Sequence, residues 1–169
     1  MDKKKIILVA GGTGGHLFPA IALSRLNKDF DYHFIIDKRV ESLALKNNLK
    51  YNKTVSSNLN LNIYFPLSII KIIFACIQSF FILVKHRPTL LIAFGGYTTV
   101  PSVIIAKILR VKIILHEQNA IMGKANRFLS KFAEYIALTY KNTTFKTSHS
   151  LYTGIPIRQN KKKKKKKKK

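Results

Sequence analysis

Residues 6–16 read IILVAGGTGGH, and the helix-type pattern PAIAL follows at 19–23. An apolar β-branched run that ends in glycines and leads into a helix is typical of the first strand, loop and helix of a βαβ unit. Four glycines in positions 11–15 allow the backbone to approach a ligand closely, and the helix N-terminus directs N–H groups and a positive dipole end toward it. The segment therefore predicts a binding loop for a phosphate or diphosphate, the alternative being that the glycines only form a tight turn.

The spacing of these glycines differs from that of two common phosphate loops. Leu17 stands where a dinucleotide fingerprint has its third glycine, and only Asp37 ends a second predicted strand with a carboxylate. No Gly-Lys-Ser/Thr sequence follows the loop, as a P-loop would require. A sugar nucleotide or another diphosphate-bearing ligand is therefore favoured over NAD.

Predicted strands alternate with predicted helices along most of the chain. The expected strands are 4–10, 32–36, 51–55, 89–94, 111–115, 135–139 and 150–153, and the expected helices are 19–26, 39–47, 100–109 and 121–132. Such alternation predicts an α/β fold with a doubly wound parallel sheet, in a single domain over residues 1–160. The ligand crevice of such a sheet lies outside the carboxyl ends of its strands.

Three glycine-rich or polar clusters follow predicted strands. They are the glycine loop at 11–16, then Gly95-Gly96-Tyr97, and then His116 to Asn119. Because the carboxyl ends of parallel strands meet at one edge of a sheet, we expect the three clusters to converge there. Core packing alone gives no reason for this placement.

The chain is strongly basic, with a formal charge of +24. Without the nine lysines at 161–169, it has 22 basic and 7 acidic residues, and a net charge of +15. This charge attracts phosphate-rich polymers and anionic lipid, but neither a zinc-ligand set nor an RNA-binding signature is present, so no specific nucleic acid is indicated. The single Cys76 excludes an internal disulfide, no signal peptide is recognisable, and a cytoplasmic location is expected.

Residues 64–84 form the most apolar segment, with Lys71 and Gln78 on one narrow helical stripe. Three interpretations compete: a core helix of the sheet, a helix that lies in the membrane interface, and a membrane span. About 18 apolar residues are barely enough to span a bilayer, and a spanning helix would have to bury Lys71 or extend it to the interface. The first two interpretations are compatible, since one helix face can pack inward while the other contacts anionic lipid.

Four motifs together resemble the N-terminal half of the MurG family, bacterial glycosyltransferases of the GT-B, family 28 type. The motifs are the glycine loop continued to Pro19, then Phe94 to Tyr97, His116 to Asn119 with Asn126-Arg127, and Gly154 to Arg158. The resemblance implies transfer of N-acetylglucosamine from UDP-N-acetylglucosamine to lipid I, which gives lipid II for peptidoglycan. It also implies a GT-B fold, no metal or other cofactor, and peripheral attachment to the cytoplasmic face of the inner membrane.

The resemblance assigns expected roles to individual residues. It places Thr13, Gly14, Gly15, Asn119 and Arg158 at the donor nucleotide. It places Gly95, Gly96 and Tyr97 on the acceptor side, while residues 11–16 face the acceptor diphosphate or the donor. His16 matches a histidine with a catalytic or diphosphate-contacting role. Glu117 is a substrate-binding candidate, and we expect Glu117 and His116 to orient the loop rather than to carry out proton chemistry.

The end of the chain departs from this family, because the lysine run stands where the C-terminal donor domain begins. Nine consecutive lysines repel one another and have no apolar face, so we expect residues 161–169 to be a disordered tail. We accordingly expect a truncated, nearly inactive N-terminal fragment of a glycosyltransferase. The alternative is a basic peripheral membrane-binding module without catalysis.

Overall fold

The computed structural model describes residues 3–55, 65–145 and 147–157, and these form one seven-stranded sheet with the strand order β3-β2-β1-β4-β5-β6-β7. All six strand pairs are parallel. The strands are β1 Lys5–Val9, β2 Asp31–Ile36, β3 Tyr51–Lys53, β4 Leu90–Ala93, β5 Lys112–Glu117, β6 Tyr135–Leu138 and β7 Ser150–Tyr152. The predicted doubly wound parallel sheet is confirmed, and its order reverses between β1 and β4.

Five α-helices connect these strands: α1 Gly14–Leu26, α2 Glu41–Lys46, α3 Phe65–His86, α4 Thr99–Ile108 and α5 Lys124–Leu129. Short 3₁₀ turns precede α2 at Lys38–Val40 and follow α5 at Ser130–Phe132.

Two predicted boundaries are wrong in an informative way. Helix α1 begins at Gly14, not at Pro19, which lies inside the helix and cannot donate a backbone hydrogen bond to the carbonyl of Gly15. The helix expected at 121–132 forms only from Lys124, because the N–H of Gly123 donates to Glu117 Oε2 at 3.0 Å. In both places, the difference lies beside the predicted ligand-binding edge.

The sheet has an apolar core on each face. On β1, Ile7 and Val9 point to one face, and Ile6 and Leu8 point to the other, as strand alternation requires. Helices α1 and α2 cover the second face near β1 and β2, while α3, α4 and α5 cover the first. The result is the three-layer arrangement that the alternating pattern predicts.

Helix α3 has one buried face and one exposed face. Its buried side includes Ala75, Ser79 and Leu83, and Ser79 Oγ lies 3.0 Å from Ser102 Oγ on α4. Ser68–His86 is long and apolar enough to cross a membrane, with a mean hydropathy of 1.9, but only 28 % of that window is buried in the protein. A core helix of a soluble protein passes the same length and composition test.

Several predictions lie outside the described residues. They are Arg158, the domain end at 160 and the lysine tail 161–169.

Candidate functional site

The three predicted clusters lie together at the carboxyl edge of β1, β4 and β5, which are neighbours in the sheet. His16, Gly96, Tyr97, Glu117 and Asn119 line one cavity of about 230 Å³. The rest of its wall is the start of α5 and the turn before it, residues 123–126. The structure therefore brings together six of the ten predicted site residues, Gly95 included, since Gly95 packs on the His16 ring.

Two glycines keep the edge open around His16. Gly95 and Gly96 have φ values of +88° and +81°, in the left-handed region that disfavours residues with a Cβ. A Cβ on Gly95 would lie 3.4 Å from His16 Cε1, and one on Gly96 would lie 3.2 Å from the carbonyl oxygen of Gly11. Both the backbone conformation and the close approach thus require glycine here.

Asp37 ties the first glycine loop to the neighbouring strand ends. Its Oδ2 accepts hydrogen bonds from the N–H of Gly12 at 2.8 Å and from Thr98 Oγ1 at 2.6 Å. It also accepts one from Arg39 Nη2 at 2.6 Å. Burial by itself raises the pKa of Asp37, but the hydrogen bonds from Arg39 and Thr98 outweigh it, and the pKa lies below its ordinary value. This carboxylate holds the loop, a role that the sequence analysis did not assign to it.

Glu117 organises the turn between β5 and α5. Its Oε1 accepts from the N–H of Asn119 at 2.9 Å and from Asn119 Nδ2 at 3.0 Å. Its Oε2 accepts from the N–H of Gly123 at 3.0 Å and from Asn126 Nδ2 at 2.9 Å. The side chain is almost fully buried, so its four hydrogen bonds serve the fold of the turn and the placement of Asn119.

Gln118 connects the two histidines of the site. Its Oε1 lies 3.1 Å from His16 Nδ1, and its Nε2 lies 3.0 Å from His116 Nδ1 and 3.2 Å from the His116 carbonyl oxygen. His116 Nε2 in turn lies 3.3 Å from the carbonyl oxygen of Gly154. His116 is buried, and this burial lowers its pKa. A continuous chain of polar contacts therefore runs from the glycine loop to the segment after β7.

Gly14 and Gly15 lie on a second cavity, of about 440 Å³, at the start of α1. Phe18, Pro19 and residues 155–157 complete its wall. Thr13 precedes this helix as its N-cap, is exposed, and makes no side-chain capping bond. The predicted donor-side residues Gly14 and Gly15 are thus separate from Asn119, which lines the first cavity with His16.

A further cavity of about 420 Å³ lies outside β2 and β3 and was not predicted from the sequence. Residues 37–39, residues 53–55 and Gln78 line it. The signal in the sequence was the Asp37-Lys38-Arg39 run directly after β2. Within the described ranges, no three His, Cys, Asp or Glu side chains are grouped so as to hold a metal ion.

The family comparison matches most of the chain. The model described as "Glycosyltransferase family 28 N-terminal domain" matches residues 6–138. The match therefore includes the glycine loop, the Gly95-Gly96-Tyr97 turn and the turn that Glu117 organises.

Curated relatives carry the name UDP-N-acetylglucosamine--N-acetylmuramyl-(pentapeptide) pyrophosphoryl-undecaprenol N-acetylglucosamine transferase. The protein from Rickettsia canadensis is 38 % identical over 163 residues, which cover 93 % of this chain and 46 % of that protein. The protein from Rickettsia bellii is 39 % identical over 164 residues, with 93 % and 45 % covered. The chain thus spans about half the length of the curated relatives it matches.

Among solved structures, the crystal structure of Acinetobacter baumannii MurG superposes with a TM-score of 0.77 at 22 % identity. The match covers 92 % of this chain and 47 % of that one. At this level of identity, the likeness concerns the fold, a sheet of the same Rossmann-like kind.

Proposed function

The chain belongs to the family of glycosyltransferase family 28 N-terminal domains, and from this we propose that it forms the acceptor-binding half of an N-acetylglucosaminyl transfer site. The proposed donor is UDP-N-acetylglucosamine and the proposed acceptor is lipid I, the undecaprenyl-diphosphate-linked muramoyl pentapeptide. The product is lipid II of peptidoglycan synthesis. The names of the Rickettsia relatives support this choice of substrates.

One observation carries the proposal: a half-buried histidine faces a cavity at the carboxyl edge with one ring nitrogen unpartnered. His16 Nδ1 contacts Gln118, and His16 Nε2 has no hydrogen-bond partner among the described residues. In the proposed reaction, the muramoyl C4 hydroxyl attacks the sugar carbon, and a base near that hydroxyl accepts its proton. His16 is the group in this cavity that we assign to that step.

The other cavity residues receive binding and positioning roles in this proposal. Tyr97 and Asn119 line the same cavity as His16 and offer hydroxyl and amide groups to substrate. Glu117 already accepts four hydrogen bonds from the turn, which favours orientation of the loop over proton transfer. His116 contributes in the same indirect way through Gln118.

The start of α1 is the proposed diphosphate-binding element. Thr13, Gly14 and Gly15 present the first backbone N–H groups of a 13-residue helix, and no Thr13 side-chain cap occupies them. Such N–H groups and the helix dipole stabilise negative charge, which develops on the departing diphosphate. Arg158, outside the described residues, is proposed to add a cation on the donor side.

A chimera tests this function directly. Residues 3–157 replace the matching half of the Rickettsia canadensis relative, and transfer from UDP-N-acetylglucosamine to a lipid I analogue is measured beside the parent enzyme. We expect activity within about tenfold of the parent, and loss of about 10²-fold or more on His16→Ala. A folded but inactive chimera would contradict the proposal. Because this chain covers about half the length of its relatives, we expect little transfer from the 169-residue chain alone.

We also propose that the outer face of α3 binds the membrane surface, which places the site at the cytoplasmic face of the inner membrane. Among the described side chains of α3, eight large apolar ones are at least 40 % exposed, and they follow the i, i+3, i+4 spacing of one helix face. They are Ile69, Ile70, Ile73, Phe74, Ile77, Phe80, Phe81 and Val84. Soluble monomers rarely expose so continuous an apolar surface without a partner.

Exposed cations flank this apolar face. Lys71 and Lys85 lie on α3 itself, and Arg87 follows its last residue. An apolar helix face with adjacent lysines inserts at the headgroup boundary of anionic bilayers. This observation supports the alternative function as well, a membrane-binding module without catalysis. The chimera separates the two, because a binding module alone gives no transfer activity.

A further inference from the structure

Gln118 lies between two histidine rings, and the atoms around it determine which ring nitrogens carry hydrogens. The series of polar contacts ends at the carbonyl oxygen of Gly154, which accepts hydrogen bonds and cannot donate them. His116 Nε2, 3.3 Å away, is therefore the donor. Burial lowers the pKa of His116 from its ordinary value, so above the histidine titration range its ring is neutral, and a neutral imidazole has one N–H. Its Nδ1 is accordingly an acceptor.

The orientation of the Gln118 amide follows from His116. The Nδ1 of His116 needs a donor, and the amide nitrogen of Gln118 lies 3.0 Å from it. The same nitrogen lies 3.2 Å from the carbonyl oxygen of His116, which also accepts from Asn126 Nδ2 at 3.2 Å. A flipped amide would place its oxygen against two acceptors and lose both hydrogen bonds. The amide oxygen of Gln118 therefore faces His16.

The hydrogen of His16 is then also fixed. The amide oxygen of Gln118 only accepts, so His16 Nδ1, at 3.1 Å, must donate. In neutral His16, the lone pair is on Nε2. That nitrogen has no partner among the described residues, and a Cβ built on Gly96 would lie 3.7 Å from it, so the glycine leaves the space beside Nε2 open.

We propose that Gln118 is a positioning residue that holds His16 in the Nδ1–H tautomer, which leaves Nε2 to accept a hydroxyl hydrogen in the cavity. The identity of that hydroxyl rests on the proposed function, whereas the tautomer is a property of this chain alone. In the transfer, the hydroxyl oxygen bonds to the sugar carbon and its proton passes to Nε2. The broken carbon–oxygen bond leaves its electron pair on the departing nucleoside diphosphate.

The opposite tautomer would not serve this step. With hydrogen on Nε2 and the lone pair on Nδ1, the ring would present an N–H group to the hydroxyl. The hydroxyl hydrogen would then find no acceptor at Nε2. Free histidine side chains favour the Nε2–H form, so the required tautomer has to be imposed by a neighbour. Gln118 does so without touching substrate itself.

Nitrogen NMR of the ¹⁵N-labelled 169-residue chain, above the histidine titration range, measures the tautomer directly. We expect His16 Nδ1 to resonate as a protonated nitrogen and Nε2 as an unprotonated one, with His116 in the opposite form. In Gln118→Leu, His16 should revert to a mixture in which Nε2–H dominates. Gln78→Leu is the matched control, since Gln78 Oε1 accepts a hydrogen bond from the N–H of Val55 at another part of the edge. It should leave the His16 signals unchanged.

Two further variants keep the proposal testable if Gln118→Leu does not fold. Gln118→Glu retains an acceptor for His16 Nδ1 and should retain the tautomer. His116→Phe removes one of the two acceptors that orient the amide and should increase the Nε2–H fraction. A wild-type His16 in the Nε2–H form, or a tautomer unaffected by Gln118→Leu, would overturn the proposal.

The rate of the chimera gives an independent readout. Gln118→Leu should lower its turnover by about 10²-fold, and Gln118→Glu should restore part of this loss. If the chimera is inactive while the NMR result holds, the proposed function fails and the positioning role of Gln118 stands. If the chimera is active and Gln118→Leu leaves the tautomer unchanged, the proposed function stands and the positioning role of Gln118 fails.

Discussion

The carboxyl edge of the sheet and the outer face of α3 use the same chain in opposite ways. At the edge, buried polar groups such as Asp37 and Glu117 are held by hydrogen bonds of 2.6–3.2 Å, and each has specific partners. On α3, large apolar side chains such as Phe81, which is 65 % exposed, face solvent. The edge therefore depends on the position of individual atoms, whereas the helix face depends on total apolar area. Substitutions should separate these two kinds of dependence.

The largest effect on stability is expected at Glu117. In the wild type, backbone and side-chain donors bond to the Glu117 carboxylate. Glu117→Gln places an amide NH₂ group against some of these donors, and at least two hydrogen bonds are lost. Because buried hydrogen bonds to a charged group each contribute about 1.5–3 kcal/mol, the free energy of unfolding should fall by about 3–4 kcal/mol. Urea unfolding measures this change.

Glu134→Gln is the matched control for that substitution, since Glu134 is exposed. It should change the free energy of unfolding by no more than about 0.5 kcal/mol. Equal effects of the two substitutions would remove the distinction between the polar edge and the rest of the surface.

A smaller loss, about 2–3 kcal/mol, is expected for Asp37→Asn, which weakens the bonds from Gly12, Thr98 and Arg39. The pKa of Asp37 is below its ordinary value in the folded protein, so its contribution is present above the unfolded pKa. That contribution is lost as the pH falls through the folded pKa. The difference between wild type and Asp37→Asn should therefore be constant near neutral pH and shrink below about pH 4. A difference that grows in acid would contradict this assignment.

Sequence patterns predicted that the three clusters meet at one edge of the sheet, but not the contacts that hold them there. The glycines of the first loop and of the 95–96 turn were recognised as clusters in the sequence, and Gly12, Gly95 and Gly96 have the positive φ values that favour glycine. Asp37 was considered only as a nucleotide ligand, and its bond to Thr98 joins residues 61 positions apart. Such a contact depends on which strands become neighbours, and periodicity carries no such information.

For the same reason, the series of polar contacts from His16 to Gly154 could not be predicted from the sequence. Gln118 was predicted as part of a cluster, but its role depends on a fold that brings it beside His16, 102 positions away in the sequence. On α3, in contrast, the polar stripe through Lys71 and Gln78 was evident from spacing. The burial of Ala75, Ser79 and Leu83, and the pairing of Ser79 with Ser102 on α4, then show which face is inward.

A pH-dependent contact links the end of α3 to the sheet. The rings of His33 on β2 and His86 on α3 stack with centroids 4.0 Å apart, and burial, the largest cause, lowers the pKa of each. Lys85 also lowers the pKa of both rings. Lys50 lowers the pKa of His33, and Lys5 lowers that of His86. Asp31 acts in the opposite direction on both. Since the unfolded chain binds these protons more readily, stability should fall as the pH drops from above 6.5 toward the folded pKa values.

His86→Phe keeps an aromatic ring against His33 and removes one titrating group. The slope of unfolding free energy against pH between pH 8 and pH 5.5 should therefore become smaller. A residual slope of the same sign should remain, because burial also lowers the pKa of His116 at the carboxyl edge. A variant with an unchanged slope would show that the ring pair does not couple α3 to the sheet.

The smallest effect on stability and the largest on lipid binding are expected on the outer face of α3. Phe74→Gln combined with Phe81→Gln should change the free energy of unfolding by only about 0.5 kcal/mol per site, because both side chains are more than half exposed. Binding to anionic vesicles should nevertheless fall by about tenfold or more, since each buried aromatic contributes roughly 1.5–3 kcal/mol. Sedimentation with phosphatidylglycerol vesicles measures this loss.

Deletion of residues 161–169 is the comparison for that double variant, because it removes nine positive charges and leaves α3 intact. If the helix face provides the apolar contact, the deletion should weaken binding mainly at low salt, whereas the double variant should weaken it at every salt concentration. Binding that survives in the double variant and disappears with the lysines would assign membrane attachment to charge alone. The apolar face of α3 would then need another partner, because soluble monomers rarely expose so many large apolar side chains on one helix face.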